Sequence, residues 1–159
     1  MKIGITGTSC SGKTTLVKQL AKYFNFTVIP EVARNYSKES LYDEHIQYDI
    51  IFKQIYNELC GEKNIITDRT VIDNYIHLER LFKPKQHTLH LVRSWVQTYD
   101  IILLCKKLPF IDDGFRTDIN MEKGIISLMK NNYIQYEIID GNEGDRFDTA
   151  CEIIKGLIK

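Results

Sequence analysis

Apolar residues cluster in five short runs along the chain, at 2–6, 26–29, 64–67, 101–105 and 136–139. Runs this short between turn-forming residues predict strands. Ile101-Ile102-Leu103-Leu104-Cys105 has no polar interruption, as expected of a strand covered on both faces of a parallel sheet. Between the runs the period changes to three and four, which predicts helices. The first covers 15–24, with Leu16, Leu20 and Phe24 on one face. A longer one covers 42–60, with Tyr48, Ile51, Phe52, Ile55, Tyr56 and Leu59 as its apolar stripe. Further helices are predicted at 71–82 and 88–98, divided around Pro84, and at 122–130 and 147–158. Strands alternating with helices imply βαβ units and a parallel α/β sheet.

Ligands of such sheets bind beyond the carboxyl ends of the strands. The chemically distinctive residues follow those ends: Gly7–Thr14, Glu31–Arg34, Asp68-Arg69, Lys107–Arg116 and Asp140–Arg146. One sheet edge should therefore gather them. The first group, Gly7-Thr8-Ser9-Cys10-Ser11-Gly12-Lys13-Thr14-Thr15, fits G-x-x-x-x-G-K-[ST], a phosphate-binding loop between a strand and a helix. Chance alone places this pattern in under about one percent of chains of this length. Its amides converge on phosphate oxygens at a helix N-terminus. Lys13 reaches the outer phosphates, and the Thr14 hydroxyl ligates Mg²⁺. A nucleoside triphosphate, ATP in the simplest case, is the expected ligand.

Composition narrows the class. With 159 residues, 43% hydrophobic and 26% charged, the chain reads as a single globular domain, 1–159. Twenty-one basic and 21 acidic residues balance to zero net charge, which argues against a dedicated nucleic-acid binder. Cys10, Cys60, Cys105 and Cys151 form no metal-binding spacing and suit a reducing compartment. No apolar run is long enough to span a bilayer, and no leader-like stretch precedes the first strand. The expected location is cytoplasmic. His45, His77, His87 and His90 show no ligand arrangement and receive no role.

Each remaining candidate has a plain structural reading beside a chemical one. Asp68 closes a strand where a carboxylate can hold Mg²⁺ through water, and can equally cap the next helix. Arg69 suits phosphate or substrate contact, or a surface ion pair. Glu31 can accept the proton of an attacking hydroxyl or hold a metal-bound water, and can also begin a helix. Arg34 follows it by one turn. The segment at about 107–120 reads as a lid, with Asp113 toward substrate and Arg116 neutralising the transferring phosphoryl group, or as a solvated loop. Gln54, with Phe52 and Tyr56, can read a planar base, or the aromatics can be core. Asp140–Arg146 can line an adenine pocket or form a surface turn.

These motifs resemble the P-loop kinases of nucleosides and nucleotides over essentially the whole chain. Val28-Ile29-Pro30-Glu31-Val32-Ala33-Arg34 is similar to the glutamate-to-arginine motif of deoxynucleoside kinases, in which the glutamate is the proposed base. Asp68-Arg69-Thr70 stands where those enzymes usually carry Glu-Arg-Ser, and is nearer the Asp-Arg of thymidylate kinases. Pro109-Phe110-Ile111-Asp112-Asp113-Gly114-Phe115-Arg116 resembles the lid of bacterial ribosylnicotinamide kinases, with Phe110 in place of the familiar Trp. The resemblance implies a three-layer α/β/α P-loop NTPase fold, a five-stranded parallel sheet in the order 2-3-1-4-5, and a small lid.

The expected function is ATP- and Mg²⁺-dependent phosphoryl transfer to a hydroxyl of a small nucleoside-like partner, ribosylnicotinamide or a (deoxy)nucleoside. The expected catalytic residues are Lys13, Glu31, Asp68 and Arg116. Arg34, Gln54, Arg69 and Asp113 would bind substrate, and Thr14 and Asp68 would place the metal. Alternatives are a nucleoside monophosphate or a polynucleotide 5′-end as acceptor, or a nucleotide-dependent switch without kinase activity. A homodimer is left open.

Overall fold

The computed structural model describes residues 1–108 and 120–158. Five strands, β1 (Lys2–Thr6), β2 (Thr27–Ile29), β3 (Ile65–Asp68), β4 (Ile101–Cys105) and β5 (Glu137–Ile139), form one sheet in the order β2-β3-β1-β4-β5. Every pairing is parallel. The expected order is therefore present. The register sets Ile5 against Asp68, Ile29 against Thr67, Thr6 against Leu104, and Cys105 against Ile139. The strands thus end nearly level, and the loops after them share one edge.

Helices cover both faces of the sheet. On one face, α1 (Lys13–Phe24) and α6 (Glu143–Leu157) close a core that includes Ile3, Ile5, Leu16, Leu20, Leu103, Ile139 and Ile154. On the other, α3 (Val71–Leu81), α4 (Gln86–Val96) and α5 (Glu122–Asn131) enclose Ile72, Val92, Ile102, Leu104, Ile125 and Met129. The unbroken β4 run buries side chains in both layers, as its composition predicts. α2 (Glu44–Cys60) packs on α3. Among the described residues, no helix is long and apolar enough to cross a membrane.

Two elements differ from the pattern. The apolar stripe predicted on α2 is only in part its buried face: Ile51 is buried and Tyr48 and Ile55 are half-buried. Phe52, Tyr56 and Leu59 are more than half exposed, while Gln47, Gln54 and Glu58 are buried beside Ile50 and Ile51. Burial of these polar groups is tolerated because most of their atoms find partners, Gln54 Oε1 excepted. Glu58 accepts hydrogen bonds from Gln54 Nε2, Trp95 Nε1 and Tyr99 OH at 2.7 Å each, and pairs with Lys2 Nζ at 2.6 Å. Helix α6 starts at Glu143, earlier than predicted, because Asn142 and Asp145 make a reciprocal capping box.

Candidate functional site

The loop between β1 and α1 has the backbone a phosphate cradle requires. Gly7 takes φ 143°, and a Cβ there would lie 2.5 Å from the Cys105 carbonyl oxygen. Gly12 takes φ 73° at the N-cap of α1, a left-handed conformation open to glycine at little cost. The loop amides therefore approach the N-terminus of α1, where a helix favours negative charge.

Lys13 is buried under the loop. Its Nζ donates to Gly7 O at 2.8 Å, Thr8 O at 2.6 Å and Ser11 Oγ at 3.0 Å. Burial, with Arg69 nearby, lowers its pKa to about 8, while Asp73, Glu31 and Asp68 act in the opposite direction. Thr14 Oγ1 donates to Asp68 Oδ2 at 2.7 Å. Asp68 Oδ1 is buried with no hydrogen-bond partner. A hydroxyl, a carboxylate and an unsatisfied carboxylate oxygen beside a phosphate loop are the hard oxygen donors Mg²⁺ prefers. The residues present fit that ion. Asp68 does not cap α3; Thr70 does, through its side chain and a capping box with Asp73.

Glu31 follows β2, with its carboxylate almost fully buried between two arginines. Arg69 Nε donates to Oε1, and Arg34 Nε to Oε2 at 2.9 Å. Burial alone would raise its pKa, but the charges of Arg69, Arg34 and Lys13 and the Arg69 bond hold it down at about 2. Arg69 sits at φ 85°, and burial is outweighed by Glu31 and Asp73, which keep its guanidinium charged. It is a buried ion-pair partner, not the surface pair that sequence allowed.

A cleft of about 790 Å³, counting space open to solvent, runs outward from this pair. Ser9 of the loop, Glu31, Arg69 and Asp73 line it, and Ile50 and Met121 contribute apolar side chains. Lys38 and Arg80 also line it. Gln47 and Asn74, which sequence reading passed over, contribute amides to the lining. Asn74 Nδ2 is buried without a hydrogen-bond partner. His77 lines the cleft too, and burial beside Arg80 and Arg69 lowers its pKa to about 4. A second hollow, of about 370 Å³, lies behind the loop and is lined by Gly12, Thr15, Leu16, Gln19, Leu108, Glu143 and Arg146. Arg146 is buried, donating from Nη1 to Ser11 O at 2.8 Å, from Nε to Gly141 O at 2.7 Å and from Nη2 to Lys106 O at 3.2 Å.

Lys13, Thr14, Asp68, Glu31, Arg34 and Arg69 are thus brought to one edge. Gln54 is not: it is fully buried, bonding Glu58 at 2.7 Å and the Arg69 carbonyl at 3.4 Å, and does not line the cleft. Phe52 and Tyr56 likewise face outward. The one-turn offset between Gln47 and Ile50 on α2 marks the face that does reach the cleft. Asp113 and Arg116, with most of the expected lid, lie outside the described residues.

A family model described as an AAA domain, AAA_28, matches residues 2–146. The chain belongs to the AAA_28 family. No curated protein matches it by sequence. Among solved structures, deoxyadenosine kinase from M. mycoides, with products dCMP and dCDP bound, superposes with a TM-score of 0.71 at 18% identity, covering 99% of this chain and 100% of that one. NadR in complex with NR gives 0.72 at 23% identity, covering 96% of this chain and 50% of the NadR chain. Shikimate kinase from Acinetobacter baumannii, with shikimate bound, gives 0.59 at 17% identity over 99% of this chain and 92% of that one. At these identities the likeness establishes a shared P-loop kinase fold.

Proposed function

We propose that this AAA_28 domain is a Mg²⁺-dependent kinase that transfers the γ-phosphate of ATP to a hydroxyl of a small nucleoside-like molecule. One observation carries the reading: a carboxylate clamped by Arg69 and Arg34 lines a cleft that Ser9 of the phosphate loop also lines. The kinase fold of its structural neighbours supports the same reaction type.

Lys13 and the loop amides hold the triphosphate, and Thr14 and Asp68 hold Mg²⁺. The ion supplies charge neutralisation at the phosphates when bound. Glu31, held ionised by its arginines, accepts a hydrogen bond from the acceptor hydroxyl and orients the oxygen toward the γ-phosphorus. Its low basicity suits a loose transition state, in which proton loss by the hydroxyl lags behind phosphoryl departure. Arg69 and Arg34 fix the carboxylate; Arg116 is the lid cation that stabilises the transferring group. The hollow beside Arg146 takes the donor base. Gln47 and Asn74 meet polar edges of the acceptor, and Ile50 and Met121 its planar faces.

Purified protein with ATP and Mg²⁺, offered ribosylnicotinamide and the ribo- and deoxyribonucleosides, tests the reading. Phosphorylation of at least one acceptor well above background ATP hydrolysis is expected; hydrolysis alone refutes it. Lys38 and Arg80 on the cleft wall favour a second acceptor class, nucleoside monophosphates, whose extra phosphate those cations would meet. Adding monophosphates to the same assay decides between the two.

A further inference from the structure

Asp73 completes the capping box of Thr70 and lines the cleft, and both halves of the site converge on it. It lies in the first turn of α3 with its side chain fully buried. Its two oxygens do different work. Oδ2 is anchored by three bonds, from Thr6 Oγ1 at 2.8 Å, Thr70 N at 2.8 Å and Thr70 Oγ1 at 3.0 Å. Oδ1 is shared by two long contacts, from Gly7 N at 3.3 Å and Arg69 Nη1 at 3.5 Å. Gly7 opens the phosphate loop, and Arg69 holds Glu31 at the cleft.

We propose that Asp73 is a positioning residue that couples the phosphate loop to the acceptor carboxylate, so that donor and acceptor each tighten the binding of the other. The physical basis is the division between the two oxygens. Oδ2 fixes the carboxylate to the ends of β1 and β3 and to the cap of α3. Oδ1 then has one location and two donors at the outer limit of hydrogen-bond length. Both contacts lengthen or shorten with small shifts of the loop or of Arg69, and long bonds of this kind tighten when a complex forms. A triphosphate that orders the loop sets the Gly7 amide against Oδ1 and fixes the carboxylate facing Arg69. An acceptor hydroxyl at Glu31 acts on the same oxygen from the other side, through Arg69. Binding coupling of this form is reciprocal.

The inference rests on reading the Glu31 cleft as the acceptor site. Titration calorimetry measures the Kd of a non-hydrolysable ATP analogue with Mg²⁺, and of ribosylnicotinamide and deoxyadenosine, each alone and with the other ligand saturating. In the wild-type protein each ligand should tighten the other by about fivefold or more. In Asp73→Asn the factor should fall below about twofold, with a rise in the acceptor KM measured at saturating ATP. Thr6→Val removes only a bond to the anchoring oxygen, so it should lower the unfolding temperature and keep the factor. Should Asp73→Asn fail to fold, Arg69→Lys removes the second donor to Oδ1 together with the Nε bond to Glu31, and should both lose the factor and weaken acceptor binding measured alone. A factor preserved in Asp73→Asn, or absent from the wild type, overturns the inference while leaving the kinase reading intact. If the ATP analogue binds and no acceptor does, the cleft reading fails and this inference fails with it.

Discussion

Thr14 Oγ1 lies 2.7 Å from Asp68 Oδ2, joining the end of the phosphate loop to the end of the neighbouring strand. The β1–β3 register sets Ile5 against Asp68 and so fixes the carboxylate beside the strand that leads into the loop. The loop and the first turn of α1 then bring Thr14 to it, so sheet and loop together set the spacing of the two groups that would share a metal.

Asp68→Asn keeps the shape of the side chain and removes its charge. If Asp68 holds Mg²⁺ through water, the substitution lowers the apparent Mg²⁺ affinity by about 10–100-fold. Phosphoryl transfer measured against Mg²⁺ concentration should show the half-saturation point moving up, with part of the rate recovered at high Mg²⁺.

Glu31→Gln should lower acceptor kcat/KM by about 100-fold or more and leave the affinity for the ATP analogue within error. Glu31 in the folded protein stays ionised down to about pH 2, against an ordinary value near 4.5. An acid limb in the wild-type rate profile above pH 5 must then come from another group, and the same limb should persist in Glu31→Gln.

His77 predicts a stability slope. Its folded pKa is about 4 and its ordinary value 6.5, so between those limits the unfolded chain binds the extra proton. Stability is complete above pH 6.5 and is lost as pH falls toward 4. The loss should reach about 2 kcal/mol once partial exposure of the ring is allowed for. Denaturant unfolding of the wild type and His77→Asn at pH 7.5, 6 and 5 should give two curves whose difference shrinks as pH falls.

Arg146→Ala strands the carbonyls of Ser11, Gly141 and Lys106, which the guanidinium serves together. A charged donor with three acceptors predicts a stability loss of about 3 kcal/mol or more. Urea unfolding reads that loss. If the hollow behind the loop takes the donor base, ATP affinity should fall further than stability alone explains at a temperature where the variant is folded.

Much of this was legible in the sequence because two signals agreed. The five apolar runs gave the strands, and the glycine loop fixed which edge mattered, so Lys13, Thr14, Glu31, Asp68 and Arg69 could be placed together. The periodicity of α2 misled because it equates apolar with buried. Glu58 collects enough donors to hold Gln54 inside, and the displaced Phe52 and Tyr56 face out. Asp73 was hidden for a different reason. A Thr followed three residues later by Asp reads as a helix cap, which it is, and nothing local tells that the same carboxylate meets Gly7. Gln47 and Asn74 depend on which faces of α2 and α3 turn toward the cleft, a matter of helix packing.

The Lys13 ammonium already has three oxygen acceptors within its own chain. A phosphate oxygen that engages it therefore competes with the loop's carbonyls and the Ser11 hydroxyl, and the gain is the difference between two sets of bonds. A lone inorganic phosphate offers few contacts to set against that exchange, whereas a polyphosphate chain spreads it over many amides. On the proposed reading, inorganic phosphate should therefore bind this loop more weakly than a polyphosphate chain does, because fewer amide contacts would offset the Lys13 bonds given up.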